Sequence, residues 1–378
     1  SIRASLRMDE GQPGFGLRYV DPWFLGAPLA LSASRNVYRG GNESAIGLAT
    51  ASGSILDRWR AGIFLATSSR RSLASAGDWV SRSLGRATVS RRVWVQRDAV
   101  SSLTIGTEGI RASLTSGAGQ PLVGPAGVRR EFGGLLGGVT RRSLSFVARP
   151  GLLETKEWVT IPTAVEGDVT LALGRDFLSA SPMQHLDAWL GKIWSVGSRS
   201  VVVSDAWASG FRSRAGWSAG DVRGSVLAVV PVPRGAWVAR GSTEALLDPD
   251  PDIRSLASFD PTASLMPSRG LAEAATVFSL ERDTYLRPIT RRYLLAGAAF
   301  VVASRRWDLA TNHLAEQRSV ALVGLGLRAI ASNVARATIG LDIGWPIAGN
   351  VSMHRPSLMI RVTPWFGHER RRDGRVSQ

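Results

Sequence analysis

The chain has 378 residues with a formal net charge of +16, and it contains no cysteine, which excludes disulfides and thiolate metal sites. Mean hydropathy is +0.03, and the longest strongly apolar runs, such as residues 294–303, reach about half the roughly 20 residues that a membrane-spanning helix needs. The positive charge comes almost wholly from Arg, which is spread along the chain instead of clustering among aromatic residues, so a nucleic-acid partner is not expected.

The chain opens with a segment in which apolar and polar residues alternate. In residues 1–8, Ile2 and Leu6 fall on one side of an extended strand, and Arg3 and Arg7 fall on the other. Most later apolar segments also alternate instead of following helical spacing, so strands are predicted throughout. The further alternating segments are residues 14–20, 29–38, 44–52, 58–67, 87–96, 109–115, 140–148, 154–163, 168–174, 199–207, 222–231, 235–241, 272–286, 293–306, 320–330, 337–347 and 357–366.

Segment 337–347 has two chemically different faces. Leu341, Ile343 and Trp345 share one side, while Asp342 lies on the other side between glycines. An apolar side toward lipid and a polar side toward a lumen is the pattern of a transmembrane barrel strand. We therefore expect Asp342 to form a salt bridge with an Arg inside the lumen.

The last segment repeats this pattern. Leu358, Ile360 and Val362 are expected to face lipid, and Arg361 and Thr363 are expected to face the lumen. Strands can span hydrocarbon only in a sheet without free edges, because every backbone N–H and C=O group needs an internal partner. The predicted fold is an all-β, transmembrane antiparallel β-barrel. A soluble β-sandwich also alternates, but it favours shorter strands.

The connections between segments differ in length, as short periplasmic turns and long outer loops require. Residues 231–235 and 285–292 are predicted to be short turns, and residues 241–269 form the longest polar, Pro-rich connection. Tryptophans near segment ends fit the aromatic belts of a membrane interface. These residues are Trp23, Trp59, Trp158, Trp207, Trp307, Trp345 and Trp365.

Both ends of the chain resemble a known family. "GFGLRYVDPWFLG" resembles the second strand and following turn of BamA/TamA-type outer-membrane assembly and translocation barrels, the bacterial surface-antigen superfamily. "VGLGLRAIASNVARATIGLDIGWPI" resembles the penultimate hairpin of these barrels, and "PSLMIRVTPWF" resembles their closing strand. The resemblance implies about sixteen strands. Because the alternating segments exceed this number by about one or two, some middle segments are expected to be loops or parts of one strand.

The resemblance also implies a weak lateral seam between the first and last strands. The residues expected along this seam are Ile2, Leu6, Leu358, Ile360, Val362 and Phe366. A seam that opens would expose a strand edge on which a substrate strand could pair.

A loop motif of the family has a partial counterpart here. Family members carry Arg-Gly-aromatic at the tip of a long loop that folds into the lumen, where an acidic residue on the next strand binds the arginine. In this chain "PSRGL" follows the longest connection, so Arg269 and Gly270 match the motif and Glu281 matches the acidic partner. Leu271 replaces the aromatic residue, and Val302 in "FVVAS" stands where a further family Asp is expected.

The resemblance sets the expected organisation and function. Residues 1–366 are predicted to form the barrel, and residues 367–378 form a polar tail. The chain, a mature protein or an excised domain, is expected in the bacterial outer membrane, where it assists insertion or translocation of protein or lipid substrates. Its expected partners are outer-membrane lipids, client outer-membrane or secreted proteins, and periplasmic assembly factors. A passive pore or structural barrel is the alternative.

Catalytic motifs are not recognisable in the sequence. His185, His313, His354 and His368 are scattered without metal-ligand spacing, and no Gly-x-Ser-x-Gly segment is present. "GGLLGG" lacks the Lys-Ser/Thr of a phosphate-binding loop. No enzymatic activity, metal or cofactor is therefore expected. Hydrolases embedded in barrels exist as a class, so a triad in the lumen or at the rim stays an alternative.

Overall fold

The computed structural model of the chain describes most of the predicted barrel. The ranges described are residues 2–9, 12–38, 41–50, 58–71, 79–115, 128–150, 158–197, 200–214, 216–247, 274–289, 293–307, 318–331, 338–349 and 356–363. The loop residues Arg269 and Gly270, the seam residue Phe366 and the tail 367–378 lie outside these ranges, so the predicted domain boundary stays a prediction.

The described residues form strands joined by turns, with one short 3-10 turn at Phe24–Gly26. The strands in the first half of the chain are β1 Ile2–Asp9, β2 Gln12–Asp21, β3 Leu29–Tyr38, β4 Gly41–Thr50, β5 Trp59–Arg71, β6 Trp79–Val95, β7 Ala99–Thr115, β8 Val128–Ser143, β9 Phe146–Pro150 and β10 Trp158–Pro162. Those in the second half are β11 Glu166–Asp176, β12 Pro182–Val196, β13 Ser200–Ser213, β14 Gly216–Val232, β15 Gly235–Leu247, β16 Ala274–Pro288, β17 Tyr293–Trp307, β18 Arg318–Ala331, β19 Thr338–Gly349 and β20 Ser357–Thr363. No helix in the described ranges is long and apolar enough to cross a membrane.

One antiparallel sheet contains eighteen of these strands. Each strand pairs with the next along the chain, except that β8 pairs with β11 and the hairpin β9–β10 stands apart from the sheet. The all-β, antiparallel prediction is confirmed, and the strand number is larger than the sixteen that the family resemblance implied. The alternation missed β12, and it included residues 154–163, which contribute to the separate hairpin.

The two faces of the sheet are chemically inverted relative to a water-soluble protein. On β11, Val169, Leu171 and Leu173 are exposed, whereas the intervening Asp168 and Thr170 are buried. Large apolar side chains are exposed at alternate positions of most other strands as well. A soluble sheet buries its apolar face, so this outer face is suited to a lipid environment.

The described side chains of the last two strands have the predicted orientation. Leu341 and Ile343 on β19 are exposed, and Asp342 between them is completely buried. Leu358 on β20 is 67% exposed, and it lies directly opposite Ile343 in the strand register, on the same outer face. The register also pairs Ile360 with Leu341.

Successive strands run in opposite directions, so the connections leave the sheet alternately at its two ends. β15 ends at Leu247 and β16 begins at Ala274 at one end of the sheet, whereas the turn 233–234 after β14 and the last residue of β16, Pro288, lie at the other end. The described strand ends thus flank the long predicted loop at one end of the sheet and the two short predicted turns at the other. The second turn is shorter than predicted, because β16 continues to Pro288.

Candidate functional site

Five charged side chains meet on the inner face of β15, β16, β18 and β19, and we call them the Arg328 cluster. They are Arg240, Glu281, Asp283, Arg328 and Asp342. Each occupies an inward-facing position of its strand, and the outward neighbours of Arg328 and Asp342 include the exposed Leu327, Leu341 and Ile343. The antiparallel pairing of β16 to β19 brings the charges together although they are distant in sequence.

The Arg328 guanidinium is the centre of this cluster. Its Nη1 forms an ion pair with Glu281 and lies 3.5 Å from Asp283 Oδ1, and its Nη2 lies 3.4 Å from Asp342 Oδ1. Arg240 Nη1 lies 3.5 Å from the second oxygen of Glu281. The side chains of Arg328 and its three carboxylate partners are at most 1% exposed, so solvent screens these contacts very little.

Small residues around Arg328 make room for its long side chain. Ala296 on β17 and Gly340 on β19 lie directly opposite it in the register. A Cβ atom on Gly340 would lie 3.1 Å from Arg328 Cγ, and a Cβ atom on Gly326 would lie only 1.9 Å from Asp342 Oδ1. The glycines of "VGLGLRA" and "GLDIG" therefore shape the pocket that holds the guanidinium and its carboxylates.

The cluster bears on two sequence predictions. Asp342 does form a salt bridge with an inward-facing arginine, Arg328, as expected. Glu281 is buried and contacts Arg240 and Arg328, while its predicted partner Arg269 lies outside the described residues. The Arg269–Glu281 contact thus stays a prediction.

Sequence reasoning missed Arg240, Asp283 and Arg328. The usable signal was strand parity, since each is a charged residue at a position that the alternation places on the inner face. On β17, which lies between β16 and β18, Val302 is buried and neutral, and the carboxylates of the cluster come from β16 and β19.

A second buried network, the His185 cluster, lies on the inner face of β6, β7 and β12. It consists of Arg86, Glu108, His185 and Asp187. One carboxylate oxygen of Glu108 accepts a hydrogen bond from Arg86, and the other lies 2.6 Å from His185 Nδ1. Arg86 Nη2 also lies 3.3 Å from Asp187, and the indole of Trp207 donates to the other Asp187 oxygen at 3.1 Å. Trp207 therefore faces the interior and not the predicted membrane interface.

Aromatic and glycine residues fix this second cluster. The imidazole of His185 stacks on Phe211, with ring centroids 4.5 Å apart, and Phe132 approaches both rings. Glu108 reaches His185 across β8 and β11, where the register places Gly134 and Gly174 in place of larger side chains. The arrangement immobilises the imidazole between a carboxylate and an aromatic ring.

The two end strands of the sheet carry the predicted seam residues. Ile2 and Leu6 lie on β1, which pairs with β2, and Leu358, Ile360 and Val362 lie on β20, which pairs with β19. With 8 and 7 residues, β1 and β20 are the shortest strands described in the eighteen-stranded sheet. Within the described ranges, each of them has one hydrogen-bonded neighbour. Those ranges also contain no group of three or more metal-ligating side chains.

Three solved structures are similar to this chain. The chain is similar to CdiB from Escherichia coli, at 10% identity and a TM-score of 0.47, over 93% of this chain and 59% of that one. For CdiB from Acinetobacter baumannii the values are 10% identity, a TM-score of 0.44, and coverage of 89% and 56%. For BamA from Haemophilus ducreyi lacking POTRA domains 1–3, they are 11% identity, a TM-score of 0.45, and coverage of 96% and 68%.

The chain spans less than two-thirds of either CdiB chain. At 10 to 11% identity and TM-scores below 0.5, these similarities say nothing about the activity of this chain. No protein-family model and no curated protein sequence matches the chain.

Proposed function

We propose that the chain is an outer-membrane β-barrel that assists insertion or translocation of protein or lipid substrates through a lateral seam between β1 and β20. The observation that carries the proposal is a wall with an apolar outer face and a charged inner face, which ends in two short strands. Its partners are outer-membrane lipids, client proteins and periplasmic assembly factors.

The outer face supports a membrane location. A side chain such as Ile105, which is 69% exposed, has no favourable partner in water, whereas lipid tails solvate it without cost. The antiparallel ladder satisfies the backbone groups of each inner strand, as hydrocarbon requires. Outer membranes are where antiparallel barrels of this size occur.

The end strands support the seam. β19 and β20 are paired over residues 338–344 and 357–363, and β1 and β2 over residues 2–9 and 12–19, while β6 and β7 pair over much longer stretches. A short strand contributes fewer hydrogen bonds and fewer cross-strand contacts, so less free energy opposes its separation. An opened edge presents unpaired N–H and C=O groups, which can template an incoming strand.

Two measurements on the purified barrel test this function. Single-channel recordings in planar bilayers report a permanent pore, and a folding assay with a client β-barrel in liposomes reports assistance. We expect faster client folding in liposomes that contain the barrel than in empty liposomes. A steady, large conductance without any acceleration of client folding would instead identify a passive pore.

A further inference from the structure

Ser209 extends the His185 cluster into an arrangement of three groups. Ser209 Oγ lies 3.4 Å from His185 Nε2, and His185 Nδ1 lies 2.6 Å from Glu108 Oε1. Because Glu108 is an acceptor, Nδ1 carries the proton of the neutral imidazole, and Nε2 is left to accept from the serine hydroxyl. Hydroxyl, imidazole and carboxylate thus stand in the order of a nucleophile, its base and the group that orients the base.

The strands hold these groups in place. Glu108 and His185 are buried on β7 and β12, and the half-buried Ser209 lies on the inner face of β13, so the serine is the most accessible of the three residues. The register between β13 and β14 shifts between Ser209 and Phe211. Such an irregularity removes a residue from the hydrogen-bond ladder and re-aims neighbouring groups, which is common beside active sites.

We propose that Ser209, His185 and Glu108 form a nucleophilic site that hydrolyses small carboxylic esters in the barrel interior. Ser209 Oγ bonds to the ester carbonyl carbon, and its proton passes to His185 Nε2. The tetrahedral intermediate then breaks its bond to the alcohol oxygen, which receives that proton. Water attacks the acyl-serine by the same route, releasing the carboxylic acid and restoring the hydroxyl. Glu108 is the positioning residue, since it holds the imidazole tautomer.

The local charges suit this proton transfer. Glu108 and Asp187 carry two negative charges and Arg86 carries one positive charge, so an imidazolium at His185 brings the sum of the four groups to zero. The apolar rings of Phe211 and Phe132 limit water around the imidazole. The site lies on the inner face of the sheet and not on its outer, apolar face. The substrate is therefore a short ester dissolved in water and not a membrane phospholipid.

The test uses the full chain in detergent micelles, with a fluorescent fluorophosphonate as probe and p-nitrophenyl butyrate as substrate. We expect the probe to label Ser209, located by peptide mass spectrometry, and the ester to be hydrolysed. Ser209→Ala should abolish both, and His185→Gln should lower both at least about 100-fold. Glu108→Gln should lower kcat by about 100-fold or more while KM stays within about threefold.

Ser225→Ala is the matched control. Ser225 also lies on the inner face, but its hydroxyl contacts the carboxylate of Asp205, so its loss should leave labelling and turnover unchanged. Heat-modifiability on gels identifies variants that do not fold. If Ser209→Ala does not fold, Ser209→Cys replaces it, because cysteine is close to serine in size. Unlabelled, inactive wild-type barrel would overturn the proposal, as would equal labelling of the wild type and His185→Gln. Hydrolysis of phospholipid vesicles without turnover of the short ester would contradict the interior substrate.

Discussion

Replacing Arg328 by Met should destabilise the barrel strongly. The substitution keeps a long side chain but removes a guanidinium that contacts Glu281, Asp283 and Asp342. A water-filled lumen would limit the cost to about 1 kcal/mol. Because these side chains are at most 1% exposed, the buried-charge value of about 3–5 kcal/mol applies instead.

Equilibrium unfolding in urea, followed by tryptophan fluorescence in micelles, measures this loss. The matched control is Arg175→Met, because Arg175 is an exposed arginine on β11 and its replacement should change stability by less than about 0.5 kcal/mol. The double variant with Glu281→Gln should lose less than the sum of the single variants, since the two groups contact each other. A loss below about 1 kcal/mol for Arg328→Met would show that water solvates the cluster, and the reasoning from burial would be refuted.

Three further predictions concern the inner face, the outer face and the loop that follows β15. Gly326→Ala should cost about 1–3 kcal/mol in the same urea titration, because the new Cβ would collide with the carboxylate of Asp342. Leu341→Arg should cost about 2–4 kcal/mol in a lipid-vesicle folding equilibrium, because the proposed membrane location places this exposed residue against lipid. Arg269→Ala and Glu281→Ala should each increase protease cleavage of the loop that follows β15, and the double variant should show less than their summed effect.

Each of these predictions has its own contradicting result. Gly137→Ala is the control for the glycine variant, since no atom lies within 4 Å of its added Cβ, and equal losses for the two variants would contradict the steric argument. An unchanged folding free energy for Leu341→Arg would show that this face of the sheet contacts water and not lipid. Strict additivity of the two loop variants would show that Arg269 and Glu281 do not interact.

The alternation of side chains was sufficient to predict the fold class. Residues 29–38 coincide with β3, and the inward position of Asp342 followed directly from strand parity. β12 was missed because its inner positions carry His185, Asp187 and Trp189, so apolar and polar residues do not separate cleanly by parity. The strand number was underestimated because it was taken from the family resemblance and not from the segments themselves.

The functional clusters were harder to predict because they depend on strand pairing between distant segments. Glu108 and His185 are 77 residues apart in sequence, and Arg328 and Asp283 are 45 apart. Parity tells which side chains face inward, but the register decides which of them meet. Four scattered histidines therefore gave no spacing signal, although one of them, His185, lies between a carboxylate and a serine hydroxyl.

Because the chain has no cysteine of its own, a pair of introduced cysteines can be used to cross-link the proposed seam selectively. Cysteine pairs that combine Ala4 or Leu6 on β1 with Leu358 or Ile360 on β20 test whether the two end strands lie close enough to be cross-linked on oxidation. A control pair joins β18 and β19 within the continuous ladder, at positions 325 and 343, which are register partners on the outer face.

The rate of client-barrel folding in liposomes, measured before and after oxidation and again after reduction, tests the seam most directly. We expect oxidation of a seam pair to remove the acceleration that the barrel gives, and reduction to restore it, while oxidation of the control pair changes nothing. Undiminished acceleration by barrels whose seam is fully cross-linked would show that substrates do not pass between β1 and β20.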